Sequence, residues 1–439
     1  EEYNPYEALR PLDQYRALIS NIWMLCSYST STRKHDIKKH LNNWFKRVHK
    51  AKGIQAKPVG SIKHAGNVDN KPVMAVIAET FKSVHAMYRW YAPMIKRLRR
   101  DYYLVMVSMK ADVDEQSISL FDEFIEVPDD EMNLQPLLNQ CTPDIAWFMS
   151  VGMRSWGISL ANLRWAPLQT MSFGHPATSH STEMDLAFVT SRVFGGQGVV
   201  NENMLILESE IGNVAEAHQD LKLPPPAVLS NDLVSIAVPC NVMKINLSFV
   251  TALKEIERLS TKPVRFMFFP NEYGVGHLST ERRLLKYFPT AVVARRTGYE
   301  AYLNLLNQNH LALSPFPFGN ATSTIDCMVL GLPVVSLIGA EPHSRSDYDI
   351  LASLGLAEYC VADSVENYVN GVVRYINEPG LLEELRAMVA SKQFMELHQQ
   401  NENEFSDEMC KALNWAYANQ DEVRGPRGLM IEGGGRWID

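Results

Sequence analysis

The sequence predicts an α/β fold: two doubly wound, Rossmann-like domains preceded by a short helical segment. Three observations predict it. Short, near-continuous apolar runs alternate with helical stretches, the pattern of parallel sheets covered on both faces. The alternation comes in two series. A proline-rich break, "LKLPPPAVLSND" at 221–232, lies between them as a hinge.

Taken in order, residues 1–70 form the helical segment. "YEALRPLDQYRALISNIWMLCSYS" and "DIKKHLNNWFKRVHKAK" carry helical patterning, no strong strand is present, and "GSIKHAGNVDNK" reads as a linker. Residues 71–225 form the first doubly wound domain. Its strands are "PVMAVIAETF", "YYLVMVSM", "EFIEVP", "DIAWFMSVG" and "APLQTMSFG", with "HAMYRWYAPMIKRLRR" among the helices. Residues 226–420 form the second, with strands "VSIAVPC", "VRFMFFP", "TAVVARR", "LALSPFPFG" and "PVVSLIG". Residues 421–439 read as a tail. Two such domains are expected to face a ligand cleft lined by the C-terminal ends of their strands.

Length and composition bound the function. The 439 residues suffice for two or three domains with full-sized cores. A hydrophobic share of 46% and a charged share of 21% are those of an ordinary soluble globular chain. The net charge of -8 argues against nucleic acid or an anionic membrane as the main partner. Neither a signal peptide nor a membrane-inserted helix is expected, since no apolar run reaches about 18 residues. The sequence starts "EEYNPYEALR", without Met, which leaves room for residues upstream. Cys26, Cys141, Cys240, Cys327, Cys360 and Cys410 show no CxxC spacing and point to a reducing cytoplasm. The histidines form no HExxH.

Four stretches carry chemistry. In "LALSPFPFGNATSTID" at 311–326 a buried strand ends in a Pro/Gly loop and a helix opens on Ser and Thr. Those residues are good N-caps, and a helix N-terminus offers N–H groups to a diphosphate. Asp326, about one turn in, is placed to accept from a ribose; an ordinary capped helix fits the same spacing. In "CNVMKINLSF" at 240–249, Lys244 sits in a strand-to-helix turn. It would offset charge on a leaving pyrophosphate, or simply be a solvated loop lysine. In "KADVDEQ", Asp112 and Asp114 match the DxD pattern of metal-dependent glycosyltransferases, but a surface loop is the preferred reading. In "FGHPATSHS" at 173–181, His175 and His180 punctuate a small-residue loop after a strand. It reads as a strand-end turn or as the wall of a site.

Together, "KPVMAVIAETFKSVHAMYR", "GHPATSHS", "VMKIN", "LSPFPFGNATSTIDCMVLGLPVV" and "GAEPH" resemble, in order, segments of the cytoplasmic protein N-glucosyltransferases of Gram-negative bacteria. Those enzymes modify adhesins and share a family with O-GlcNAc transferase. The resemblance covers about 71–380. It implies a GT-B fold and inverting, metal-independent transfer of a hexose from a UDP-sugar, UDP-glucose first, to asparagine in Asn-X-Ser/Thr of a protein acceptor. No cofactor is implied.

Carried onto this chain, the resemblance puts Lys244 at the β-phosphate, Thr322 at the diphosphate and Asp326 at the ribose. Asn241, Glu272, Arg296, Asn320 and Ser323 complete the donor side. His175, His180 and His85 fall on the acceptor side, with His180 facing the reacting centre. Glu272, Arg296 and Thr322 replace a glutamine, a histidine and an asparagine of the family. All three border the donor pocket there, so the sugar need not be glucose. The helical part ahead of residue 70 is much shorter than the family's N-terminal helical domain, which helps form the acceptor groove. Transfer to Ser/Thr hydroxyls or to a glycan, and a non-catalytic nucleotide-binding protein, are the alternatives.

Overall fold

The computed structural model describes residues 16–131, 133–172, 174–196, 198–209, 223–225, 227, 229–230, 232–392, 394–425, 430–432 and 436–438. Two compact units emerge: Glu1–Asn213 with Gln400–Asp439, and Val214–Gln399. Among the described residues no helix is long and apolar enough to cross a membrane. Part of the proline-rich break (221, 222, 226, 228 and 231) lies outside the described residues.

The first unit is built on β1 (Val73–Ile77), β2 (Tyr103–Ser108), β3 (Glu123–Glu126), β4 (Ile145–Phe148), β5 (Leu168–Met171), β6 (Leu186–Thr190) and β7 (Asn203–Leu207). Two C-terminal strands, Met430–Glu432 and Arg436–Ile438 (β14 and β15 in chain order), extend it. The nine-stranded order is β15-β14-β7-β6-β5-β4-β1-β2-β3. Pairing is parallel except between β14 and β15. Strands β2 and β4–β7 are buried along their whole length, which is why they read as unbroken apolar runs.

Successive side chains of β1 and β2 feed opposite cores. Ala75, Ile77, Val105 and Val107 pack with Trp23, Trp44, Phe45 and Val48 of the helices Arg16–Cys26 and Asp36–Lys52. Met74, Val76, Leu104 and Met106 pack with Ile95, Met409, Leu413 and Ala416 on the other face. Burial of Phe45 and Val48 contributes about 1.5–3 kcal/mol each.

The described helices of the 1–70 segment cover the first sheet with their aromatic face. Two expected bounds are corrected. The second domain does not run over 226–420, since residues 400–439 group with the first unit. Within the expected tail, Met430–Glu432 and Arg436–Ile438 are strands of the first sheet, β14 pairing with β7, Ile431 against Leu205. Strands β6, β7, β14 and β15 are also additional to the sequence reading.

The second unit holds β8 (Val234–Val238), β9 (Val264–Phe268), β10 (Val292–Val293), β11 (Leu311–Leu313), β12 (Val334–Leu337) and β13 (Val361–Ala362). All are parallel, in the order β10-β9-β8-β11-β12-β13. Two of the unit's helices, Leu247–Leu259 and Val365–Asn377, start on side-chain caps. Asn246 accepts from the N–H of Phe249 at 3.0 Å, and Ser364 from that of Asn367 at 3.2 Å. In each sheet the order reverses beside the unit's first strand, between β1 and β4 and between β8 and β11. Such reversals open the crevices in which doubly wound folds bind ligands.

Candidate functional site

The second unit's crevice is flanked by the turn after β8 and the loop after β11, which carry two of the singled-out stretches. Lys244 ends a short 3-10 turn that Asn241 caps, the Asn241 side chain accepting from the N–H of Met243 at 3.2 Å. The Lys244 ammonium donates to the carbonyl of Gly319 and lies 4.9 Å from the Phe318 ring centroid. Burial pushes its pKa below that of an ordinary lysine, against the opposing pull of Cys240 and Asp347. Lys244 is therefore fixed to the loop that opens the helix after β11 rather than loose in solvent.

That helix is Thr322–Val329. The expected Ser/Thr cap is not what starts it. Ala321 occupies the N-cap position at φ 52°, without a side-chain bond. The work falls to Asp347, on the helix Ser346–Ser353. Its carboxylate accepts from the N–H groups of Asn320 at 2.9 Å and Ala321 at 2.8 Å. It also accepts from the hydroxyls of Ser314 at 2.5 Å and Thr324 at 2.6 Å. Gly319 permits this approach, since a Cβ there would lie 2.4 Å from an Asp347 oxygen.

Thr322 and Ser323 form the first helical positions. Asp326 follows one turn later, buried, with one carboxylate oxygen taken by the Tyr299 hydroxyl. Asn320 is 7% exposed, and neither its amide oxygen nor its amide nitrogen has a partner. A buried, unpartnered amide calls for an explanation, and a polar ligand is one. Glu272 and Arg296 follow β9 and β10. The Arg296 N–H donates to the Glu272 carbonyl at 3.2 Å, and the Arg296 guanidinium lies 5.8 Å from the Tyr273 ring. The Glu272 carboxylate accepts from the Thr280 hydroxyl.

In the first unit the loop after β5 carries the histidines; Phe173 lies outside the described residues. His175 is buried, with Nε2 2.9 Å from the Ser27 hydroxyl, so it serves the interior of the unit. His85 is a helix cap, its Nδ1 accepting from the Met87 N–H at 3.2 Å. His180 is half-buried, and its backbone is left-handed at φ 53°. Burial holds its pKa below the ordinary histidine value, with Glu202 opposing that shift.

The first unit's own crevice, between β1 and β4, is occupied by a carboxyl side chain of the unit itself. Glu79 accepts from the N–H groups of Gly152 at 3.0 Å, Met153 at 3.0 Å and Arg154 at 3.2 Å, and from the Ser150 hydroxyl at 2.8 Å. Successive N–H groups of this kind form a nest suited to phosphate. Burial raises the Glu79 carboxyl from 4.5 to about 7.

Asp112 and Asp114 have structural partners. Asp112 is buried and takes the Arg154 guanidinium in a two-point pair, one arm at 2.8 Å, which replaces the expected surface loop. Asp114 caps a helical turn, accepting from the N–H groups of Ser117 at 2.9 Å and Ser83 at 2.8 Å. Glu79, Glu202 and Asp347 escaped the sequence reading.

No protein-family profile matches the chain. Two curated relatives, both named UDP-glucose:protein N-beta-glucosyltransferase, come from Actinobacillus pleuropneumoniae serotypes 5b and 7. Each is 32% identical over 381 residues, 83% of this chain. The chain spans 61% of the length of each. Among solved structures, a point mutant of Thermobaculum terrenum O-GlcNAc transferase matches with a TM-score of 0.73 and 17% identity, over 95% of this chain and 80% of that one. Sucrose-phosphate synthase of Thermosynechococcus elongatus matches with a TM-score of 0.51 and 12% identity, over 80% of this chain and 100% of that one. The fold is thus of the GT-B type, with two Rossmann-like domains, and over 83% of its length the chain is similar in sequence to two proteins named UDP-glucose:protein N-beta-glucosyltransferase.

Proposed function

We propose that the protein transfers a hexose from a UDP-sugar, UDP-glucose first, to an asparagine of a protein acceptor in Asn-X-Ser/Thr. The observation that carries this reading is the convergence of Lys244, Asn320, Thr322, Ser323 and Asp326 on one crevice of the second unit, in a chain with relatives of that name. The diphosphate would meet the N-terminus of the helix Thr322–Val329, with the Lys244 ammonium beside its β-phosphate. Asp326 would accept from the ribose, sharing that task with its bond from Tyr299.

The acceptor nitrogen attacks the anomeric carbon as the bond from that carbon to the β-phosphate oxygen breaks. The electron pair leaves on UDP, the acceptor nitrogen gives up a proton, and the configuration inverts. Lys244 stabilises the charge gathering on the leaving group, and no metal is needed for that task. His180, whose pKa burial holds below the ordinary histidine value, orients the acceptor or takes the proton. The work is positioning and leaving-group stabilisation. A cytoplasmic location and an adhesin-like acceptor belong to the same proposal.

The test is transfer by the purified chain, read by intact mass of acceptor peptides with UDP-glucose, UDP-GlcNAc and UDP-galactose. Peptides with Asn-X-Ser/Thr should gain a hexose from UDP-glucose. Lys244→Ala should lower turnover about 10²–10³-fold. Modification only of peptides lacking asparagine would move the acceptor to a hydroxyl, and no transfer from any donor would refute the enzyme.

A further inference from the structure

We infer that Glu202 is a positioning residue for His180, acting through the loop 178–181; the inference rests on the role proposed above for His180. Glu202 lies just ahead of β7 and is wholly buried. One of its oxygens accepts from the Ser179 N–H at 2.7 Å and the Ser179 hydroxyl at 2.5 Å. The other accepts from the Thr178 hydroxyl at 2.8 Å. That same Thr178 oxygen accepts in turn from the N–H of His180 at 3.3 Å.

The loop is gripped from its other side by the helix Asp36–Lys52. The Lys38 ammonium, wholly buried, donates to the Thr178 carbonyl at 2.7 Å, and the Asn42 amide donates to the Ser179 carbonyl at 3.0 Å. Ser181 closes the loop, its N–H donating to the Ser179 hydroxyl at 3.1 Å and its own hydroxyl to the Ala161 carbonyl at 2.5 Å. Thr178, Ser179 and Ser181 are all buried, whereas His180 between them remains half-exposed. Its φ of 53° is a conformation that non-glycine residues hold only when their surroundings impose it. A wholly buried carboxylate and a wholly buried ammonium on two sides of one residue form a costly arrangement for an ordinary turn. Here it fixes the direction of one imidazole. Glu202 also acts on that imidazole by charge, favouring its protonation, while Lys39, His35 and Lys38 disfavour it.

The test is a double-mutant cycle with Glu202→Gln and His180→Ala in the whole chain, measuring kcat, the KM for UDP-glucose and UDP affinity by calorimetry. An amide at 202 turns a donor toward donors and should lower kcat about 10–100-fold, the effect of a misplaced group. The UDP-glucose KM should stay within about two-fold, and the double variant should be no slower than His180→Ala alone. Imidazole NMR of the folded protein should show His180 titrating at lower pH in Glu202→Gln, and the acid limb of kcat/KM should move the same way. Ser179→Ala, which removes one hydroxyl from the carboxylate, gives a milder version of the same cycle if Glu202→Gln fails to fold. Effects of positions 202 (or 179) and 180 that simply multiply, or an unmoved His180 titration, would overturn the role of Glu202 while leaving that of His180 intact. A His180→Ala variant with full kcat would overturn both.

Discussion

Replacing Asp347 by alanine should loosen the second unit and its nucleotide site together. Four donors converge on that carboxylate, at 2.5–2.9 Å. They are not equally stranded by its loss. The Asn320 N–H keeps a second acceptor, the Ser314 hydroxyl oxygen at 3.1 Å, and the two hydroxyls can rotate. The Ala321 N–H is held in place by φ 52° and cannot turn away. Hydrogen bonds to a charged group are worth about 1.5–3 kcal/mol each. One stranded N–H and two weakened hydroxyl bonds, less the relief from unburying a charge, give a loss of about 2–5 kcal/mol. For a unit of this size each kcal/mol is about 2–4 °C, so its melting should fall by about 4–20 °C. The first helical turn, which presents Thr322 and Ser323, is set by the same bonds, so UDP should bind about 10-fold or more weakly in calorimetry. Asp347→Asn, which keeps one accepting oxygen, should fall between. Unchanged melting with unchanged UDP affinity would refute the assignment of the helix start to Asp347.

Other outcomes follow from the same bonds. Because burial lifts the Glu79 carboxyl from 4.5 to about 7, the folded state binds the proton more tightly than the unfolded state across that interval. Its contribution to stability is full below pH 4.5 and is lost as the pH rises through about 7, by about 3 kcal/mol in all. Glu79→Gln should flatten that part of a melting-temperature profile, and a profile as steep as the parent's would exclude Glu79 as its cause. Transfer activity should persist in EDTA; abolition by chelator with rescue by Mn²⁺ would remove Lys244 and the helix N-terminus as sufficient neutralisers of the diphosphate. Gly152→Ala should destabilise the first unit by about 1–3 kcal/mol, because φ there is 127° and a Cβ would lie 2.2 Å from the Trp23 ring. UDP affinity should be untouched, and a weaker UDP isotherm would contradict this.

The sequence disclosed what is local. Runs such as "VMAVI" in β1 and "VSIAV" in β8 are apolar because both faces of a parallel sheet are covered, and the turn holding Lys244 directly follows β8. The strands β14 and β15, of three residues each, are too short for any period to show. The site was legible as motifs but not as geometry. Lys38 sits in a basic helix and reads as a solvated face; its burial depends on a carbonyl 140 residues away. The sequence points to Ser and Thr for the cap of the helix Thr322–Val329, yet the group that holds its start lies 26 residues from Ala321, at Asp347. Glu79 likewise meets its donors 71 to 75 residues further along the chain. Carboxylates that work at such distances leave no local pattern.

The return of the C-terminal residues to the first unit has a consequence for synthesis. Val214–Gln399 is contiguous, whereas the first unit is finished only by Gln400–Asp439. At about 5–20 residues per second on a ribosome, the whole second unit is made before Met409, Leu413 and Ala416 reach the first unit's core. Until then β7 is an edge without its neighbour β14, and the apolar face beneath Met409 lies open to water. Loss of the last forty residues, Gln400–Asp439, would leave a complete second unit tethered to a sheet with an adhesive edge, and aggregation during translation is the hazard built into this chain order.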